Sequence, residues 1–189
     1  MQNKININYS VLILIMLATA LSRLIPHPYN FAPIGALGLF GAAYFSNRIL
    51  AIILPLASLW ISDVVINNTL YADYYNGFTL FNSGMIWIYG TIALTSFIGM
   101  FTLKNVNVKT VLGSSILASI LFFVITNFVC WPGNMAYSQN FDGLMVCYAA
   151  GIPFFKGTLA GNIFYSALMF GSYELARRKI GALQVVSGN

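Results

Sequence analysis

Apolar residues fall in long runs separated by short polar clusters. The first run, Tyr9 to Ile25, is closed by Pro26-His27-Pro28. Two prolines within three residues remove backbone donors and restrict the residues before them, so a helix is predicted to end here. A second run, Asn30 to Phe45, is separated from a third, Ile49 to Ile66, by the tight turn Ser46-Asn47-Arg48. A connection rich in Tyr and Asn, Asn67 to Thr79, leads to a fourth run, Leu80 to Phe101. Thr102 to Asn107 then precedes a fifth, Val108 to Val129. The longest connection, Cys130 to Pro153, contains the apolar piece Phe141 to Ala150, which is too short to cross a bilayer and is predicted to be a re-entrant or interfacial lid helix. The sixth run extends from about Phe154 to Ala176 and is terminated by Arg177-Arg178-Lys179. The Lys4-led start resembles a signal peptide, but Arg23 follows the alanines without a small polar start and the apolar sequence continues, so the run is expected to be retained.

Composition turns these runs into membrane spans. Of 189 residues, 59% are hydrophobic and 7% charged, far below the roughly 25% charged residues of soluble domains. The expected fold is therefore all-α: a single transmembrane domain over residues 1–189, an integral membrane bundle of six helices. Six spans put both termini on one side together with Lys4, Arg48, Lys104, Lys109, Arg177, Arg178 and Lys179, seven of the nine basic residues. The other side receives Arg23 and Lys156 with Asp63, Asp73 and Asp142. By the positive-inside rule the termini are expected in the cytoplasm. The net charge of +5 is thus a topology signal, and no nucleic-acid motif accompanies it. No internal repeat marks a two-half transporter.

That topology gathers costly polar residues at one depth, near the outer helix ends. Arg23 and His27 close the first span, Asn30 opens the second, Asp63 ends the third, Asn127 and Trp131 flank the end of the fifth, and Lys156 and Asn162 enter the sixth. Intramembrane ionisable groups face bundle interiors and pair, so Arg23 is expected to pair with Asp63. The candidate substrate-binding set is Arg23, His27, Asn30, Asp63, Asn127, Trp131 and Lys156. The bland reading has Arg23 and Lys156 snorkelling and the Asn residues capping helix ends. Tyr71, Tyr74, Tyr75 and Phe78 in one outer connection, with Trp131, Tyr137, Phe141 and Tyr148 in the other, form either an interfacial belt or flaps over a planar ligand.

Small residues recur at close-packing spacing: Ala32-x-x-x-Ala36, Gly38-x-x-x-Ala42 and Gly157-x-x-x-Gly161. Such faces let helices approach within a bundle or dock on a second membrane subunit. Cys130 and Cys147 have no metal-ligand spacing and are either paired or two free thiols. No Walker, HExxH or GxSxG motif is present, and no nucleophile and base can be paired, so neither catalysis nor a metal or cofactor is expected.

The segment Arg23-Leu-Ile-Pro-His-Pro-Tyr-Asn-Phe-Ala-Pro-Ile-Gly-Ala36, with Leu39-Phe-Gly41, Pro55, Ser62-Asp63, Thr126-Asn-Phe128, Trp131, Gly143-Leu144, Cys147-Tyr148 and Pro153-Phe-Phe155, resembles a family of uncharacterised bacterial membrane proteins grouped with the substrate-binding S components of energy-coupling factor transporters. The resemblance covers about residues 20 to 175. It implies a six-helix fold, an external pocket for a small vitamin-like nutrient capped by loops, and docking on a transmembrane coupling subunit driven by ATPases. Ala32-x-x-x-Ala36 resembles the docking motif of such proteins, although it lies in the second span rather than the first, and Gly38 and Ala42 complete the candidate docking set by their small-residue spacing. The competing expectation is an accessory or assembly subunit without a small-molecule ligand, whose outer face would be solid.

Overall fold

The computed structural model describes residues 2–75 and 77–179, with side chains of the first helix described from Tyr9 onward. Its helices are α1 Gln2–Leu21, α2 Ile34–Tyr44, α3 Arg48–Thr69, α4 Ser83–Thr102, α5 Val108–Cys130 and α6 Phe141–Lys179, with single 3-10 turns at Ser22–Leu24 and Ala72–Tyr74. There is no strand among the described residues. Asparagines set two of the starts. The Asn47 side chain accepts from the backbone N–H of Ile49 at 2.8 Å and opens α3. Asn107 accepts from Lys109 and Thr110 while its own N–H donates to Thr110 Oγ1 at 3.0 Å, so that α5 begins with a reciprocal cap.

α3, α4, α5 and α6 have 22, 20, 23 and 39 residues and are long and apolar enough to cross a membrane. At 1.5 Å per residue the first three measure about 30–35 Å, the thickness of a bilayer's hydrocarbon core. The protein is thus a membrane-embedded helical bundle. The apolar parts of the first two helices are shorter, Tyr9–Leu24 and Ile34–Tyr44. The run Asn30 to Phe45, expected as one span, is helical only from Ile34 to Tyr44, and the chain before it, 25–33, contains no helix.

This short helix lies at the centre. Gly35 through Gly41 are buried without interruption, and α2 packs against each of the other five helices. Its direction matches α4 and α6. Gly38 faces Ile92 and Ser96, and Ala42 lies against Gly99 further along α4. On α6, Phe40 meets Phe170 with ring centroids 5.4 Å apart, and Tyr44 donates to Glu174 at 2.9 Å. At α3, a Cβ on Gly41 would stand 2.5 Å from Pro55 Cγ and 2.7 Å from the Ala51 carbonyl oxygen, so helix contact there requires glycine. These contacts correct the docking expectation. Ala36 is fully buried, Gly38 and Ala42 pack on α4, and the Ala32 backbone lies on α6, so the small-residue face is used inside the bundle.

The predicted lid at Phe141 to Ala150 is also corrected. It forms the first turns of α6, which runs without a break through Pro153 for 39 residues, or about 58 Å. Proline withdraws one ladder hydrogen bond, while the buried stripe Gly143, Cys147 and Gly151, spaced by four, fixes the segment along the end of α5 and the chain after it. Two ends result. Arg48, Lys104, Lys109 and Arg177 to Lys179 stand at one, where α3 and α5 start and α4 and α6 finish. Arg23 stands at the other. The side chain of Lys4 lies outside the described residues.

Gly41→Ala is expected to destabilise the purified protein by about 1–3 kcal/mol through overpacking against Pro55. Gly113→Ala, where an added Cβ meets nothing within 4 Å, is expected to be neutral or stabilising. Thermal unfolding in detergent distinguishes the two.

Candidate functional site

The non-helical chain before α2 is what makes room at the end of the bundle that holds Arg23. It lies directly on α6, because Gly157 and Gly161 leave space for it. A Cβ on Gly161 would stand 2.7 Å from the Ala32 nitrogen, and one on Gly157 would collide with the Tyr29 carbonyl. Phe31 anchors it between the rings of Phe164 and Tyr165, at 5.5 and 5.6 Å. Asn30 adopts φ 58°, a left-handed conformation that asparagine tolerates better than most residues. The first turn of α2 would leave buried N–H groups without partners. One is met from another helix: Asn162 of α6, 1% exposed, accepts from the Gly35 N–H at 2.9 Å and donates to Ser119 Oγ of α5 at 2.9 Å.

The expected Arg23–Asp63 pair is present. Arg23 Nη1 donates to Asp63 Oδ1 at 2.6 Å and to Ser62 Oγ at 2.8 Å, and Tyr89 of α4 donates to Asp63 Oδ2 at 2.9 Å. The side chains are 17% and 10% exposed, so the pair is largely withdrawn from water, and a carboxylate there needs both donors. Tyr89 was not singled out in the sequence, and Ser62 entered only as part of the Ser62-Asp63 family motif. Tyr89 lies in the middle of an apolar run, and only the fold brings it to α3.

Two adjoining cavities open beside this pair. The first, about 330 Å³, is lined by Arg23, His27 and Asn30 together with Tyr71. The second, about 470 Å³, is lined by Asn30, Thr126, Asn127 and Tyr137 against the rings of Phe123 and Phe155. Asn30, Phe122 and Thr158 line both and form the wall between them. His27 Nδ1 lies 2.9 Å from the Pro28 carbonyl oxygen, which makes Nδ1 the donor of that bond. Asn127 donates to the Phe123 carbonyl at 2.8 Å.

Two expected site residues stand elsewhere. Lys156 is exposed on α6 and lines neither cavity, and Thr158 two positions on faces inward instead. That exposure accords with the snorkelling alternative. Trp131 donates to the Ser138 carbonyl at 2.9 Å and pins the connection between α5 and α6. Among the aromatic residues expected as a belt or flaps, Tyr71 and Tyr137 line these two cavities, whereas Tyr74 is exposed and Tyr148, which lines neither, donates to the Val124 carbonyl at 2.8 Å. Cys130 and Cys147 are free thiols, one exposed and one buried, and both line the second cavity. Among the described residues no cluster of three or more His, Cys, Asp or Glu could hold a metal ion.

Residues 3–183 match a family model described as a family of unknown function (DUF6580). The chain belongs to that family. No curated protein and no solved structure matches it.

Arg23→Ala and Asp63→Ala are each expected to cost about 3 kcal/mol, because each strands a buried charge. The double variant should be more stable than the sum of the two losses implies. Tyr89→Phe is expected to cost about 1 kcal/mol. Unfolding of the purified variants in detergent, analysed as a double-mutant cycle, measures all three.

Proposed function

We propose that the protein is a membrane-embedded capture subunit for a small, vitamin-like nutrient, comparable in role to the substrate-binding S component of an energy-coupling factor transporter. The observation that carries the reading is the pair of adjoining cavities at the Arg23 end of the bundle. Four of the seven residues expected from the sequence, Arg23, His27, Asn30 and Asn127, line them, and a fifth, Asp63, holds Arg23 in place. Non-helical backbone at membrane depth is tolerated where it borders a cavity, and 25–33 does so. Walls that combine aromatic rings with a few amides and hydroxyls suit a small, partly planar molecule.

In this reading the chain crosses the bilayer six times. α1 makes the first crossing, and the second is shared between the irregular segment and α2. The described basic residues of the opposite end, Arg48, Lys104, Lys109 and Arg177 to Lys179, support cytoplasmic termini in a bacterial inner membrane and cavities that open outward. Any ATP-driven coupling subunit docks on a face other than the Ala32 to Ala42 stripe, which is engaged internally. The accessory-subunit alternative calls for a filled outer end, and the cavity bordered by Tyr71 favours capture.

Native mass spectrometry of the protein purified from its own membrane tests this. A small-molecule adduct is expected on the wild type, with affinity reduced about tenfold in His27→Ala and in Asn127→Ala while thermal stability is retained. An adduct-free wild type, or one whose adduct is indifferent to both substitutions, would contradict the proposal.

A further inference from the structure

A third cavity lies at the opposite end, unconnected with the two above. It is a groove of about 530 Å³ between α5 and α6, lined mainly by aliphatic and aromatic side chains including Val111, Leu112, Ile163 and Phe170. Its floor holds Ser115 and Ser166, and the Ser115 hydroxyl lies 2.8 Å from both Ser166 Oγ and the Val111 carbonyl oxygen, so each of the two hydroxyls has a hydrogen-bond partner within the protein. Gly171 also lines it, and a Cβ there would meet nothing within 4 Å. The groove therefore has open space where a larger side chain would stand.

Charge appears only at its mouth. Asn107, which caps α5, lines that end with Glu174 and Arg178. The Glu174 carboxylate is matched by Arg177 at 3.1 Å and by the Tyr44 hydroxyl at 2.9 Å. With Arg178 in the wall, and Lys109 and Lys179 at the same end of the helices, the mouth is net positive. Length discriminates further. From Ile163 to Arg178 the α6 wall rises about 22 Å, which is half of a bilayer of roughly 40–45 Å including its headgroups. An apolar trough one leaflet deep, ending in cations at headgroup level, has the shape and charge of one molecule of an anionic phospholipid.

We propose that this groove is a binding site for an anionic phospholipid, with one acyl chain against Gly171, Phe170 and Ile163 and the phosphate at Arg178 and the start of α5. A basic side chain at this level attracts anionic lipid specifically, while the trough alone accepts any acyl chain.

The test is titration of delipidated protein in neutral detergent with phosphatidylglycerol and, separately, with phosphatidylcholine, followed by native mass spectrometry. One phosphatidylglycerol per chain is expected to bind about fivefold more tightly than phosphatidylcholine. Arg178→Gln should abolish that preference while leaving weak binding of both lipids. Gly171→Leu, which fills the trough, should remove both. Gly113→Leu adds the same bulk to open space outside the groove and should change neither, which separates occlusion from damage to the fold. Equal affinity for the two lipids in the wild type, or binding unaffected by Gly171→Leu, would overturn the proposal. So would a dimer that disappears in Gly171→Leu, which would make the occupant a second copy of the chain.

Discussion

Everything at the Arg23 end follows from where α2 begins. A helix that starts inside an apolar bundle presents backbone N–H groups with no water to receive them, and each unmet group costs on the order of 1–3 kcal/mol. Asn162 meets one of them from the neighbouring helix, taking the Gly35 N–H with its oxygen and giving its amide hydrogen to Ser119. One side chain thus joins α2, α5 and α6 at the level where the second run stops being helical. Because the run can stop there, the chain before it can lie flat on Gly157 and Gly161 and border space instead of filling it.

The same economy of contact organises the other half of α2. Gly38 and Gly41 bring it against α4 and α3, and Phe40 and Tyr44 bring it against α6, so the shortest helix touches all the long ones. The Arg23–Asp63 pair then closes the upper end, tying the turn after α1 to α3, with Tyr89 adding α4. Polar contacts within the bundle join its walls around the cavities and leave the lipid-facing surface to apolar side chains.

Much of this was legible in the sequence, and the reasons are particular. Low charge and long apolar runs announce a helical membrane bundle through composition alone, and isolated ionisable residues near span ends announce a pair, because the bilayer makes an unpaired charge costly. The Arg23–Asp63 contact is found as expected on that basis. Four features were not readable. The ten apolar residues before Gly151-Ile-Pro153 resemble a separate piece, and only packing of Gly143, Cys147 and Gly151 on neighbouring chain makes them part of α6. The small-residue stripe of α2 carries no sign of whether its partner is internal or external. Lys156 and Thr158 differ only in which side of α6 they occupy, which hydrophobic runs do not specify. Asn162 belongs to the polar group seen in the sequence, but its partners, like those of Tyr89, are long-range neighbours that no local spacing names.

The central claim is that the break before α2 creates water-accessible space between helices. It is tested most directly by maleimide labelling of Thr158→Cys in a chain whose Cys130 and Cys147 are replaced by serine, since Thr158 is only 7% exposed yet lines both cavities. The account predicts that a small maleimide added to membrane vesicles modifies this thiol in the folded protein. Modification that occurs only after denaturation would contradict it.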